Sequence, residues 1–242
     1  MSFIIHPNLV DTPAKVLALI PIVPSASPLK EGILYGITGI NNGRNRKTVV
    51  LGWHAGTNSN DLYEQTAIGY GAFGDDPNYS GTDHNYTGSG VALGYHAGGL
   101  LSNSDTDNII AVGYEALWQV SGVNDDNISI GTQSGAGSSF SNQNTAIGHR
   151  AAQGSTLNNT ISLGSKANEG ASATNTISIG NYANSWEINN YSTVNATDSV
   201  VIGHNSLSLN SNNIIIGHNI TSEDSNVITI GNNQHTVLSI PG

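Results

Sequence analysis

The sequence contains no cysteine, which excludes a disulfide framework and any thiolate metal site and leaves the cellular compartment open. Charged residues make up only 10% of the chain. No nucleophile elbow, phosphate-binding loop or pair of helical histidine ligands occurs. We therefore predict a protein that is not an enzyme and that needs no cofactor or resident metal.

What the sequence has in abundance is a short repeated phrase: an aliphatic residue, a small residue, an aliphatic residue and glycine. Eleven copies place their glycines 14 to 25 residues apart along the chain. A short, nearly constant period of this kind is typical of a solenoid. The repeated glycines are Gly52, Gly69, Gly94, Gly113, Gly131, Gly148, Gly164, Gly180, Gly203, Gly217 and Gly231.

Two aliphatic columns stand one and three residues before each glycine, with Thr66 and Thr145 as the exceptions. Residues two apart share one face of a strand, and most of these are β-branched, as strands prefer. The pattern predicts one strand per repeat, with the aliphatic columns forming its inner face. Stacked repeats would place these strands in parallel.

Between the aliphatic columns runs a column of small or uncharged residues that never contains Lys, Glu or Asn. We interpret it as an outer face that is covered by other copies of the chain; a tightly wound strand that merely favours small residues is the alternative. The predicted subunit-interface residues from this column are Ala67, Ala92, Ala111, Ser129, Ala146, Ser162 and Ser178.

A further small column, mostly alanine, lies three residues after each glycine. Because a large side chain there would overpack a narrow space, this column predicts a thin interior. The glycine predicts a corner with positive φ or close backbone approach. Asn or Asp before many strands predicts left-handed turn residues.

These repeated segments, such as Asn127–Gly131 and Asn144–Ala151, resemble the head repeats of YadA-type trimeric autotransporter adhesins. The same repeat also occurs in bacteriophage tail fibres. The resemblance covers about residues 48–231. It implies a left-handed parallel β-roll of about eleven coils, three chains about one axis, and an adhesive or fibre-forming role.

Several departures from the adhesin pattern favour the tail fibre. There are no heptads of a coiled-coil stalk, and the sequence ends eleven residues after Gly231. Residues 16–23 are apolar but are interrupted by proline and preceded by a poor basic start, so a secretion signal is not expected. The run is also too short to span a membrane.

The charge distribution separates a leader from the repeats. Residues 1–47 carry a net charge of +3, whereas the remainder carries −13, which disfavours nucleic-acid and anionic-membrane partners. We predict an extended, proline-rich N-terminal anchor over residues 1–47 that docks on another virion protein, a β-roll over 48–231, and a C-terminal cap over 232–242.

Two repeats are longer than the others, over residues 70–90 and 181–199. Excursions from a rigid scaffold often carry binding residues, and acids with aromatics could bind a glycan or calcium; solvated loops filling grooves between subunits are the alternative. The receptor-contact candidates are Asp75, Asp76, Tyr79, Asp83, His84, Tyr86, Trp186 and Tyr191.

An aromatic residue or histidine follows many of the glycines. The early repeats carry Trp53, Tyr70, Tyr95 and Tyr114, and later ones carry His149, His204 and His218. This pattern predicts a ladder along the stack, with a sugar-binding aromatic platform as the functional alternative. Metal binding by these histidines would require them to converge across chains.

The function predicted from the sequence is that of a homotrimeric tail fibre in the virion, assembled in the host cytoplasm, which attaches to a host-surface glycan or envelope protein. The alternatives are a purely structural baseplate or decoration protein, the head of a bacterial cell-surface adhesin, and a glycan-degrading tailspike using Asp75, Asp76 and Asp83. An ice-binding solenoid would need a regular Thr-x-Thr face, which the repeats do not show.

Overall fold

The computed structural model describes residues 49–52, 55–56, 65–74, 89–101, 108–121, 125–187 and 194–232. Within these residues every regular element is a β-strand, all pairing is parallel, and the chain winds as a β-solenoid. The predicted all-β, parallel solenoid is thereby confirmed. The anchor segment 1–47 lies outside the described residues, as does nearly all of the predicted cap 232–242.

One wall of the solenoid, here called the long sheet, contains a strand from each of the eleven repeats in chain order. Its pairing keeps the repeat columns aligned, as in Ala111 opposite Ser129 and Ser129 opposite Ala146. At about 4.8 Å between strands, the sheet extends about 48 Å. Its strands are β1 (Val49–Leu51), β2 (Gln65–Ile68), β3 (Gly90–Leu93), β4 (Ile109–Val112), β5 (Ile128–Ile130), β7 (Thr145–Ile147), β9 (Ile161–Leu163), β11 (Ile177–Ile179), β13 (Val200–Ile202), β15 (Ile214–Ile216) and β17 (Ile228–Ile230).

The opposite wall has fewer strands among the residues that the structure describes. A four-stranded sheet, here called the short sheet, consists of β6 (Ser139–Phe140), β8 (Thr156–Asn158), β10 (Ser172–Thr174) and β12 (Asn195–Thr197), and a two-stranded sheet pairs β14 (Leu207–Ser208) with β16 (Thr221–Ser222). Ser121 adds a single bridge to β6.

The solenoid therefore has about seven coils with both walls, fewer than the eleven that the repeat count predicts. The difference lies in the early repeats, where the segments that return from one strand of the long sheet to the next fall partly outside the described residues.

The glycine column forms the corner at the end of the long sheet. Gly113 has φ = 135°, and a Cβ added to it would lie 2.5 Å from the carbonyl oxygen of Gly131 in the next coil. Both predicted requirements, positive φ and close backbone approach, are present at this corner. The column three residues later is buried, from Ala72 to Ser206, which confirms the thin interior.

The assignment of faces on the long sheet was wrong. The small column points into the solenoid: Ala67, Ala92, Ala111, Ser129, Ala146, Ser162 and Ser178 are each 0% exposed within one chain. The aliphatic columns point outward and none of their described side chains is buried. The interior is narrow, and Phe140 and Leu157 fill it from the short sheet, so only small side chains fit opposite them.

The corner before several strands of the long sheet contains two polar columns that stand one position apart. Asn175 and Asp198 adopt φ of 51°, as turn residues do, whereas Asn127, Asn144 and Asn213 are buried. Asn144 shows why the buried column matters: its side-chain oxygen accepts a hydrogen bond from the Thr160 backbone N–H at 3.1 Å. The sequence predicted turn residues here but did not separate these two roles.

Candidate functional site

The largest unusual surface of the described solenoid is the outer face of the long sheet. Eleven of its Ile and Val side chains are at least 36% exposed, and they follow one another along the whole stack. Contiguous exposed apolar surface of this extent is rare on monomeric soluble proteins and indicates an interaction surface. We call it the aliphatic stripe: Val49, Ile68, Ile110, Ile130, Ile147, Ile161, Ile179, Ile214, Ile216, Ile228 and Ile230.

The aliphatic stripe carries no charge. Both outward residues of β5 and of β9 are aliphatic, and where an outward residue of the repeat columns is not aliphatic it is Thr66 or Thr145. Parallel sheets are normally covered on both faces, and the interior of the solenoid covers only one face of this sheet. The stripe is therefore the place where a second apolar layer fits.

The predicted subunit-interface residues do not form this surface, because all seven are buried inside their own chain. No second chain can reach them without opening the solenoid. The residues that do form this exposed surface belong to the two neighbouring columns of the repeat, which are aliphatic in nearly every copy.

Beside the stripe runs a ladder of aromatic rings. Tyr70 stacks on Tyr95 with ring centroids 5.2 Å apart, and Tyr95 stacks on Tyr114 at 5.1 Å, with interplanar angles of 11° and 6°. The predicted ladder is confirmed for these three rings. Each ring covers a face of its neighbour, so the ladder presents mainly ring edges and hydroxyl groups, which is a poor arrangement for stacking sugar rings.

Further along the same corner, His204 and His218 stack with centroids 5.1 Å apart. Among the described residues no group of three or more His, Asp or Glu side chains is placed to hold a metal ion. Trp53 of the same column lies outside the described residues.

A cluster of charged side chains bridges three consecutive coils near residue 169. The Glu169 carboxylate is buried and lies 2.5 Å from the Arg150 guanidinium, while Lys166 pairs with Glu187 at 2.5 Å. Burial raises the pKa of Glu169, although Arg150 and Lys166 act in the opposite direction. The hydrogen bond to Glu187 raises the pKa of Lys166. The cluster links these coils up to Glu187, the last described residue before residue 194.

Of the receptor-contact candidates, the structure describes only Trp186, which is 43% exposed. Asp75, Asp76, Tyr79, Asp83, His84, Tyr86 and Tyr191 lie outside the described residues, so their grouping stays a prediction. Within the described part of the chain, no helix could cross a membrane.

No protein-family model, no curated protein and no solved structure matches this chain. The repeat and the exposed surfaces of the solenoid are therefore the features that bear on its function.

Proposed function

We propose that this chain is a virion structural protein, a homotrimeric tail fibre whose β-roll attaches to the host surface. The observation that carries the proposal is the aliphatic stripe, which has exposed members on nine of the eleven strands of the long sheet, from β1 to β17. A rod whose one side is apolar from end to end is suited to lengthwise assembly with identical rods. Three copies and a left-handed roll are what the resemblance of the repeat implies.

The energetics favour self-association through the stripe. Covering eleven aliphatic side chains that are now roughly half exposed contributes on the order of 10 kcal/mol per subunit, before the entropy cost of association. A polar or charged partner would gain nothing from this surface. A second and third copy, offering the same stripe about a shared axis, would exclude water from it completely.

The attachment role rests on the shape and charge of the rod. In the proposed fibre, residues 1–47 dock on another virion protein, and their net charge of +3 contrasts with −13 in the remainder. The acidic rod would be repelled from nucleic acid and anionic membrane. The outward surfaces of the assembled rod would then face the host envelope.

Sedimentation equilibrium of the purified chain tests the assembly. We expect the mass of three chains, against 25.1 kDa for one. A stable single chain at micromolar concentration would refute the trimer. Binding of the fluorescently labelled protein to a panel of bacterial cells tests the attachment role, which fails if no cell in the panel retains the protein.

A further inference from the structure

The outer face of the short sheet differs from every other surface of the described solenoid. Its strands are in register, so their outward side chains form two parallel ranks across four coils. The first rank is Ser139, Thr156, Ser172 and Asn195, and the second is Ser141, Asn158, Thr174 and Thr197. Between the ranks, Phe140, Leu157, Ala173 and Ala196 point inward and are buried.

Every member of the two ranks is an uncharged hydroxyl or amide. Thr156, Ser172 and Asn195 are exposed, and Asn158, Thr174 and Thr197 are partly exposed. Within the described part of the chain, no hydrogen bond joins any of these side chains to another group of the protein. Successive members are spaced by the strand separation of about 4.8 Å, and the ranks lie about 6.6 Å apart. The face is thus a regular array of unused donors and acceptors.

One edge of this array carries an exposed aromatic ring. Trp186 lies over Gly170, because a Cβ added to Gly170 would meet the indole at 2.6 Å from Nε1 and 2.7 Å from Cγ. Gly170 is only two residues before Ser172, so the ring is anchored within about 7 Å of the first rank. At the same corner of the two preceding coils, an added Cβ on Gly137 or Gly154 would meet no atom within 4 Å. Open space therefore continues beside the sheet, with Trp186 at its end.

The side chains on the outer face of the short sheet fit some classes of ligand better than others. A protein partner would require an apolar centre, and this face offers one aromatic ring and no exposed aliphatic side chain. An anionic ligand would be repelled by the acidic rod and would find no cation in the ranks. A neutral polysaccharide supplies hydroxyl groups for the ranks and C–H groups that pack on the electron-rich face of an indole.

We infer that the short sheet, with Trp186, is a binding face for an uncharged, linear polysaccharide. This inference rests on the proposed host-attachment function and names the ligand class and the surface. In the proposed trimer the aliphatic stripe is covered, whereas the short sheet forms the opposite wall and stays outside. Three such faces on one rod could bind the same polymer surface together, and this multivalency would raise the overall avidity. Each single face can therefore bind weakly.

Affinity electrophoresis of the full chain in gels containing neutral α-glucan, β-glucan, mannan or galactan tests the inference, with an anionic polysaccharide gel for comparison. We expect retardation in at least one neutral gel and none in the anionic gel. Trp186→Ala should weaken the binding at least tenfold, and Thr156→Val combined with Thr174→Val several-fold, because valine keeps the shape of threonine without its hydroxyl. The matched control is Thr145→Val, the same change on the long sheet, which should bind as the parent does.

The outcomes separate this inference from the proposed function. Binding to cells by the parent, together with no retardation in any neutral gel or undiminished retardation of both variants, would overturn the polysaccharide face and leave the attachment role standing. Absence of cell binding would instead remove the attachment role. Shaping of ice crystals without retention in any gel would identify a different occupant and refute the inference. Unchanged circular dichroism of the variants shows that they are folded.

Discussion

The two walls of the solenoid share one interior and one chain, but their outer faces are opposites. The long sheet exposes Ile and Val on nine of its eleven strands, whereas the short sheet exposes Ser, Thr and Asn along four. Both are parallel sheets with a buried inner column. The difference teaches that the interior alone defines the coil, while the outer columns are free to determine what each wall meets: in our proposal, sister subunits on one side and the environment on the other.

The largest effect should come from charging the long wall. Ile130→Asp combined with Ile179→Asp would place unpaired carboxylates in the proposed subunit interface, at a cost of several kcal/mol for each, so we expect a single-chain mass in sedimentation equilibrium. Thr156→Asp combined with Asn195→Asp makes an equivalent change on the short wall and should leave the trimer intact. Equal behaviour of the two pairs would show that the walls do not differ in this way.

The second effect concerns the two glycine corners. Gly113→Ala at the end of the long sheet would drive a Cβ into the Gly131 carbonyl, so we expect a loss of several kcal/mol in the free energy of unfolding. Gly137→Ala, before the short sheet, meets open space at φ = 65° and should cost about 1–2 kcal/mol. Urea unfolding measures both. Similar costs would mean that the coils can separate to admit a side chain.

A third comparison tests the corrected faces of the long sheet directly. Ala146→Leu would overpack the interior and should destabilise the fold by about 1–3 kcal/mol, even in the charged single-chain variant. Ile147→Leu, one residue later and 38% exposed, should leave the stability of that single chain nearly unchanged. The opposite ranking in thermal unfolding would restore the face assignment that the sequence first indicated.

The smallest effect is a pH dependence. Because burial raises the pKa of Glu169 above its ordinary value of 4.5, the folded protein holds this proton more tightly than the unfolded chain. The contribution of Glu169 to stability is therefore greatest below pH 4.5 and falls as the pH rises through the raised pKa. Glu169→Gln removes that fall, so we expect a slightly higher Tm at pH 7 and no gain at pH 4.

The control for that measurement is Glu187→Gln, which removes a partly exposed partner of Lys166. Surface ion pairs of this kind contribute less than about 1 kcal/mol, so its Tm should be equal to or slightly below that of the parent at pH 7. A lower Tm for Glu169→Gln at pH 7 would show that the Arg150 pair outweighs the cost of burial.

Part of the functional surface was visible in the sequence and part was not. The sequence pattern correctly predicts that the two aliphatic columns share one face of the long sheet, but it predicts the inner face, whereas they lie on the outer face. The short sheet was not recognised, although Ser139, Thr156 and Ser172 each stand eight residues after a repeat glycine, because Asn195 stands fifteen residues after Gly180 and the four share no residue type or motif that marks a strand. Only the parallel register brings them into one rank. Trp186 is among the receptor-contact candidates predicted from the sequence, but its place beside Gly170 depends on the neighbouring coil.

The sequence by itself determined the repeat, the parallel stacking, the glycine corner and the narrow interior, because each follows from local periodicity and from side-chain size. Only the tertiary structure decided which face of each strand is inside. A strand alternates between two faces without marking either as the core. The choice was made by space: opposite Phe140 and Leu157, which enter from the short sheet, the remaining gap admits Ala and Ser, and in later coils the same inward column holds the fully buried Val201 and Ile215.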